Sequence, residues 1–342
     1  MAGEITVGGN ILASHTGIDG AGSLTLGNTV VPASSYTFRN KIINGNFDFW
    51  QRGISFTGGS AYTADRFRIS LTASPTHTTS RQSFSIGQTE VPNNPTYFLR
   101  TNVTTTNNSA DLVALTQKVE SVKTLAGKTA TLSFWAKADA NKNIATEVVQ
   151  DFGGGGTQSS AVEGIGATIH SLTTSWQKFT TTVFIPSISG KTLGANVNDC
   201  LRIHFWFDAG STYDSRTNSL GNQSGTFDIA QVQLEEGPVA TPFEQRPLSV
   251  ELSLCQRYYE KSERSVYVGF VGPLNSGGWA LRPAVTFSTP KRATPTITYP
   301  SVYDVWTTFT INAGKDGFTV ELGHSGTADP RPWFTWTADA EL

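Results

Sequence analysis

Thr129-Ala-Thr-Leu-Ser-Phe-Trp-Ala-Lys137 puts Ala130, Leu132, Phe134 and Ala136 on one side of an extended backbone and Thr131, Ser133 and Trp135 on the other. A period of two is the mark of a half-buried strand, because successive side chains of a pleated chain point to opposite faces of its sheet. Moving outward, Phe179–Ile185, Cys200–Phe207 and Thr226–Leu234 repeat the alternation, and Gly-, Ser- and Asn-rich turns separate them. A single Met among many Thr, Val, Ile and aromatic residues suits pleated strands better than helices. The expected fold class is all-β, built on a two-sheet sandwich. Phe47, Phe49, Phe134, Phe179, Phe205, Phe207 and Phe227 are expected mainly in its core.

Composition narrows the function. The 342 residues suggest about two domains, at ~100–200 residues each, or one large β unit with appendages. Charged residues make up 15% against the ~25% usual for soluble domains, and the net charge is −2. Thr, Ser, Asn and 33 Gly take their place. A nucleic-acid partner is not expected without a basic surface, and membrane insertion is not expected without an apolar run of about 18 residues. Met1–Asn10 lacks the basic start and apolar run of a secretory signal, so synthesis in a cytosol is expected. Cys200 and Cys255 lie far apart in no metal-ligand spacing and are expected as buried free thiols.

Leu248, Leu252, Cys255 and Tyr259 fall at i, i+4, i+7 and i+11 after Pro247, which predicts a short amphipathic helix over Leu248–Lys261. The expected organisation is an N-terminal arm (1–38), a sandwich (39–247), a helical connector (248–262) and a small distal β domain (263–342). The arm's glycines interrupt every apolar stretch, so it reads either as an attachment arm ordered by a partner or as a flexible terminus.

Catalytic patterns are sparse. The five histidines lack metal-ligand spacing, and no nucleophile elbow, Walker loop or dinucleotide fingerprint is present. Gly153–Gly156 has the glycines of a phosphate loop without its lysine. Glycan hydrolysis needs only two acids ~5–9 Å apart, so Asp208, Asp214 and Glu235-Glu236 are noted, though turns and strand ends account for such residues equally well. No enzymatic activity is expected.

Two stretches carry a resemblance. Asn40-Lys-Ile-Ile-Asn-Gly-Asn-Phe-Asp-Phe-Trp-Gln-Arg-Gly53 with Tyr62-Thr-Ala-Asp-Arg-Phe67, and Phe227-Asp-Ile-Ala-Gln-Val-Gln-Leu-Glu-Glu-Gly237 through Ala240–Glu244 to Cys255-Gln-Arg-Tyr-Tyr259, bracket one unit. They resemble bacteriophage tail-fibre and virion-fibre proteins, as do Arg292–Thr296 and Trp336–Leu342. The bracketed unit is also similar in layout to jelly-roll carbohydrate-binding modules, through Asn44–Asp48, Gly127–Trp135, Trp176–Phe179 and Phe227–Ala230. The resemblance implies a jelly-roll β-sandwich, a homotrimer, an arm docked on another virion protein, and recognition of a bacterial surface glycan by a virion assembled in the host cytoplasm. Tail fibre is the leading expectation, with a capsid-attached head fibre or a glycan-degrading tailspike as alternatives.

Sugars are held by aromatic rings against a pyranose face and by polar side chains on its hydroxyls. The expected glycan-binding residues are therefore Trp206, Tyr213, Asp208, Asp214 and Arg216, or Trp279 and Trp306 in the distal domain, with core packing as the ordinary alternative. The jelly-roll resemblance further implies a structural Ca²⁺ at Asp48 and Asp228. Tyr258, Tyr259, Trp306 and Trp333 are the expected subunit contacts.

Overall fold

The computed structural model describes residues 3–7, 10–16, 23–26, 29–32, 38–72, 74–263, 266–267, 279–281, 284–299, 308–324 and 333–342. Near the N-terminus, β1 (Gly3–Val7), β2 (Asn10–Thr16), β3 (Ser23–Leu26) and β4 (Thr29–Pro32) form an antiparallel meander within the predicted arm.

The sandwich follows. Its strands are β5 (Ser55–Thr57), β6 (Ala61–Tyr62), β7 (Phe67–Thr72), β8 (Thr76–Ser83), β9 (Tyr97–Thr104), β10 (Leu112–Glu120), β11 (Thr129–Ala138), β12 (Lys142–Asp151), β13 (Val162–Leu172), β14 (Gln177–Phe184), β15 (Cys200–Ala209) and β16 (Gly225–Glu236). One sheet has the order β13-β12-β15-β10-β7-β6 and the other β14-β11-β16-β9-β8-β5, the jelly-roll arrangement expected. Alternation decides which side chains meet between them. Ala130, Leu132, Phe134 and Ala136 of β11 face Ile203, Phe205 and Phe207 of β15 in one core, where Phe134 and Phe205 meet edge-on at 5.0 Å and Phe207 stacks on Phe227 at 5.2 Å. Of the seven predicted core phenylalanines, Phe49 and Phe179 are only half-buried. Cys200 and Cys255 are buried free thiols, as expected.

The strand β16 is unusual. It pairs with β9 only over Gly225–Ile229, while its C-terminal half takes a different partner, the irregular segment 40–45. There Lys41 N–H donates to Leu234 O at 2.7 Å and Val232 N–H to Gly45 O at 2.8 Å. The Asn40 side chain closes both sides of the same backbone, donating to Val232 O and accepting from Leu234 N–H. Between the two halves the register against β11 slips: Ser133 faces Gln233 but Trp135 faces Ala230. This is a β-bulge, and Gln231 at φ +48° supplies its left-handed residue.

Helix α1 (Asp214–Thr217) is a single turn after β15, and α2 (Leu248–Gln256) leads out of the sandwich. The predicted helix over Leu248–Lys261 ends early, because Tyr259 begins β17 (Tyr259–Lys261) and Leu248 is exposed. The rest comprises β18 (Val266–Tyr267), β19 (Trp279–Leu281), β20 (Ala284–Thr286), β21 (Thr296–Thr298), β22 (Thr308–Ala313), β23 (Gly317–His324), β24 (Trp333–Phe334) and β25 (Thr337–Asp339). Phe287, Phe318, Val320, Phe334, Trp336 and Ala338 form a second small core, and β25 lies between β17 and β21.

A charged and aromatic seam joins this part to the sandwich. Arg66, buried, stacks on the Tyr258 ring at 3.4 Å, pairs with Glu341 and donates to Lys118 O at 2.6 Å. Arg52 covers Tyr259 at 3.6 Å and pairs with Asp339, while Tyr258 OH and Arg257 both reach Glu120 at 2.8 Å. Tyr258 and Tyr259 are therefore buried within one chain and are not the free subunit contacts expected, because arginine faces already occupy their rings. Trp306 lies outside the described residues, as does the Trp333 side chain.

Two outcomes follow for stability. Removing one partner of a buried ion pair strands the other charge, so Arg66→Ala is expected to cost about 3–5 kcal/mol in denaturant unfolding; a cost under about 1 kcal/mol would show the seam to be incidental. His170 is enclosed by Phe134 and Phe179, with Nε2 2.9 Å from Thr146 Oγ1, and burial lowers its pKa from 6.5 to about 4. The folded value lies below the unfolded one, so this contribution is complete above about pH 6.5 and is lost as pH falls towards 4. It amounts to on the order of 3 kcal/mol. His170→Gln should flatten the fall in Tm between pH 6.5 and 4, and an unchanged slope would contradict this assignment.

Candidate functional site

Residues predicted from sequence to bind glycan do come together, on the outer face of the sheet containing β15. The Trp206 ring lies 5.3 Å from Tyr213 and 4.9 Å from the Arg216 guanidinium. Arg216 is fixed by Glu147, with Nε–H donating at 3.0 Å, and by Glu163 at 3.0 Å. Yet Trp206 is only 1% exposed, packed with Leu112, Ala114, Ala145 and Ala209, so it cannot offer a face to a sugar. Asp208 is fully buried and accepts from Gln223 N–H at 2.8 Å and Asn222 Nδ2 at 3.3 Å, which ties down the loop before β16. Burial raises its pKa. Asp214 is exposed at the start of α1, and Tyr213 is half-buried with its hydroxyl 3.3 Å from Thr72 Oγ1. The cluster is thus a satellite core capped by a salt bridge, a correction for Trp206 and Asp208. Trp306 and the Trp279 side chain lie outside the described residues.

The two expected calcium ligands line different hollows. Asp228 is buried and takes a two-pronged bond from Arg100, Nε at 2.7 Å and Nη2 at 2.8 Å, so its charge is already matched. Asp48 lines a different hollow, where Asn46 Nδ2 donates to it at 3.0 Å and burial raises its pKa. Among the described residues no three His, Cys, Asp or Glu side chains converge as a metal site would require.

Glu235 and Glu236, weighed for hydrolysis, have structural partners. Glu235 is buried; it accepts from Thr241 N–H at 2.8 Å and Thr241 Oγ1 at 2.6 Å, pinning the segment after β16. Glu236 pairs with Lys128 at 2.7 Å. In the glycine run, Gly154 N–H is taken by Asn198 Oδ1 at 2.9 Å.

The surface best shaped for a ligand lies on the other sheet, at the β16 bulge. A hollow of about 330 Å³ opens there, walled by Trp135 and Phe243, floored by Ser133 and Gln231, and rimmed by Pro92, Asn93, Lys178, Ala240 and Pro242. Both aromatic side chains are half-buried, and Trp135 packs against Val91, Phe98, Trp176 and Ala230. Local structure fixes each wall. Trp135 sits on the polar face of β11, directly across from Lys178 of β14. Phe243 is carried by the segment that Glu235 holds at Thr241 and that Gln233 Oε1 holds at Glu244 N–H, 2.8 Å. Gln231 Nε2 donates to Pro92 O at 2.7 Å, and Asn93 and Asn94 turn the rim at φ +66° and +46°. Phe243 also lines a second hollow of about 260 Å³ with Asn46, Asp48, Asn94 and Arg246. Two apolar rings with amide, hydroxyl and ammonium groups between them can clasp the apolar face of a sugar and bond its hydroxyls.

The sequence carried a signal for this site. Trp135 is the one aromatic residue on the polar side of the strand that opened the reading, and Phe243 follows Pro242 in a loop. What pattern alone could not supply was the bulge that brings them together.

Neither a protein-family model nor a curated protein sequence matches the chain. Solved structures with a similar fold include the enzymatically active domain of bacteriophage CBA120 tailspike protein 4, at 13% identity and TM-score 0.33 over 58% of this chain. The chain spans 22% of the length of that tailspike domain. A family 11 carbohydrate-binding module from Clostridium thermocellum, in complex with a β-1,3-1,4-mixed-linked tetrasaccharide, is similar over 55% of this chain and 98% of its own, at 11% identity and TM-score 0.33. A CBM4 module is similar over 57% and 98%, at 18% identity and TM-score 0.30.

Proposed function

We propose that this chain is a non-enzymatic subunit of a phage virion fibre, and that its sandwich recognises a bacterial surface glycan in the Trp135–Phe243 hollow. The observation that carries the glycan reading is that hollow: two half-buried aromatic rings beside amide, hydroxyl and ammonium groups on one sheet face. The low-charge, Thr- and Asn-rich composition supports it, since neutral hydroxyl and amide groups match sugar hydroxyls. The fibre reading is supported by the motifs at 40–67 and 227–259, and the four-strand meander at the N-terminus is the part assigned to docking on another virion protein. Weak single sites of this kind gain avidity when several copies are joined, which is the role assigned to a homotrimer. Binding without cleavage is favoured because Asp208, Glu235 and Glu236, three of the four carboxylates weighed for hydrolysis, are engaged in structural bonds.

Trp135→Ala and Phe243→Ala are each expected to weaken binding to an array of bacterial surface polysaccharides about tenfold or more, on the order of 1.4 kcal/mol, with the fold retained even though Trp135 loses its packing on Val91, Phe98, Trp176 and Ala230. Trp206→Ala should do the reverse, lowering stability by about 3–5 kcal/mol while leaving the affinity of the folded protein intact. Full binding by the Trp135→Ala, Phe243→Ala double variant would remove the hollow as the site. Release of oligosaccharides from a bound polysaccharide would overturn the non-enzymatic assignment.

A further inference from the structure

The outer face of the other sheet carries a further hollow, of about 150 Å³, next to the Trp206 cluster. Three adjacent strands build it. Arg68 of β7 lies across from Thr116 of β10, Thr116 across from His204 of β15, and Lys118 directly across from Arg202. Like charges opposite one another on a sheet face oppose folding. Here that arrangement is reinforced by Arg66, which lines the same hollow. In a chain with a net charge of −2, four cations around one small cavity are a local exception.

Their counter-charges are incomplete. Arg202 pairs with Asp151 and Arg66 with Glu341. Among the described residues, Arg68 has no carboxylate in ion-pair range and donates to Ser70 Oγ at 2.5 Å, while Lys118 donates to an oxygen of Leu342. Tyr62 OH reaches that same Leu342 oxygen at 3.1 Å, so one edge of the hollow already draws an oxygen acceptor. Arg66 Nε, Arg202 Nε and His204 Nε2 are enclosed without a hydrogen-bond partner. Burial first, and then the neighbouring arginines, lower the Lys118 pKa.

We propose that this hollow is an anion site for an acidic saccharide, taking a uronate carboxylate or a sugar phosphate between Arg68, Lys118 and Arg202. Guanidinium groups match the paired oxygens of either anion, and the hydroxyls of Tyr62, Ser70 and Thr116 supply the neutral contacts that a sugar ring needs beside its charge. The cavity is large enough for a charged substituent and too small for a whole sugar chain. The site is independent of the Trp135–Phe243 hollow, which lies on the opposite sheet.

The test is titration calorimetry of the full chain with galacturonic acid, glucose 6-phosphate, their neutral parents galactose and glucose, and inorganic phosphate, at low and at 0.3 M salt. At least one acidic sugar should bind tenfold or more tighter than its parent and weaken several-fold in high salt. Preference for galacturonic acid assigns a carboxylate, and preference for glucose 6-phosphate a phosphate. Arg68→Gln should weaken the acidic sugar fivefold or more with Tm retained, Arg68→Lys should restore part of the affinity, and Trp135→Ala should leave it unchanged. If Arg68→Gln fails to fold, Lys118→Gln takes its place. Equal affinity for acidic and neutral sugars, no binding of either acid, or no effect of the Arg68 or Lys118 variants would overturn the proposal. Inorganic phosphate binding as tightly as glucose 6-phosphate, with galacturonic acid not binding, would overturn its saccharide part.

Discussion

Much of this molecule depends on one close approach, that of Gly45 to the backbone of Val232. A Cβ on residue 45 would come within 2.1 Å of Val232 O, so only glycine lets segment 40–45 lie against β16 and accept the Val232 N–H. That contact gives β16 a second partner where β9 leaves it. The change of partner is absorbed at Gln231, whose left-handed backbone shifts the register against β11. The bulge in turn places Gln231 beneath Trp135 and anchors Pro92, so the hollow follows from a backbone constraint rather than from any aromatic motif. Bulges commonly re-aim side chains in this way beside functional surfaces.

The sequence stretches that suggested a virion fibre turn out to share a structural task. Asn40 and Gly45 splice onto β16, while Arg52, Tyr62 and Arg66 from the same region meet Tyr258, Tyr259, Asp339, Glu341 and Leu342 from the far end of the chain. Each partner in this seam is a planar cation over an aromatic ring or a paired carboxylate. Such contacts hold register better than aliphatic packing, because a mispaired buried charge costs several kcal/mol. Stretches widely separated in sequence are thus parts of one junction.

The sandwich was legible because alternation in β11, β14, β15 and β16 fixes which face each side chain takes, and Ala130, Leu132, Phe134 and Ala136 are all buried as that pattern requires. The helix was read too long, since Tyr259 keeps a helical spacing while its backbone pairs with Asp339 in a strand. Tertiary pairing overrode periodicity there. Trp206 was misread because it falls on the outward face of β15, and strand pattern cannot show that Tyr213 and Arg216 fold back over it. Asp48 and Asp228 were joined by a resemblance between strands, and an arginine on the neighbouring strand, Arg100, took the charge of one of them. At Trp206 and Asp228 the outcome turns on what lies above a sheet face, and a period of two does not encode that.

The two faces of the sandwich differ in chemistry: one presents aromatic walls with amide, hydroxyl and ammonium groups, the other a basic hollow beside a capped tryptophan. The central claim is that the bulge-built hollow, and not the tryptophan cluster predicted first, meets the glycan. Its most direct test is a crystal structure of the full chain with the saccharide that binds tightest on a glycan array. The account predicts a sugar ring packed on the Trp135 indole with its hydroxyls bonded by Asn93 or Lys178. A well-ordered saccharide elsewhere on the chain, with the Trp135–Phe243 hollow empty, would contradict it.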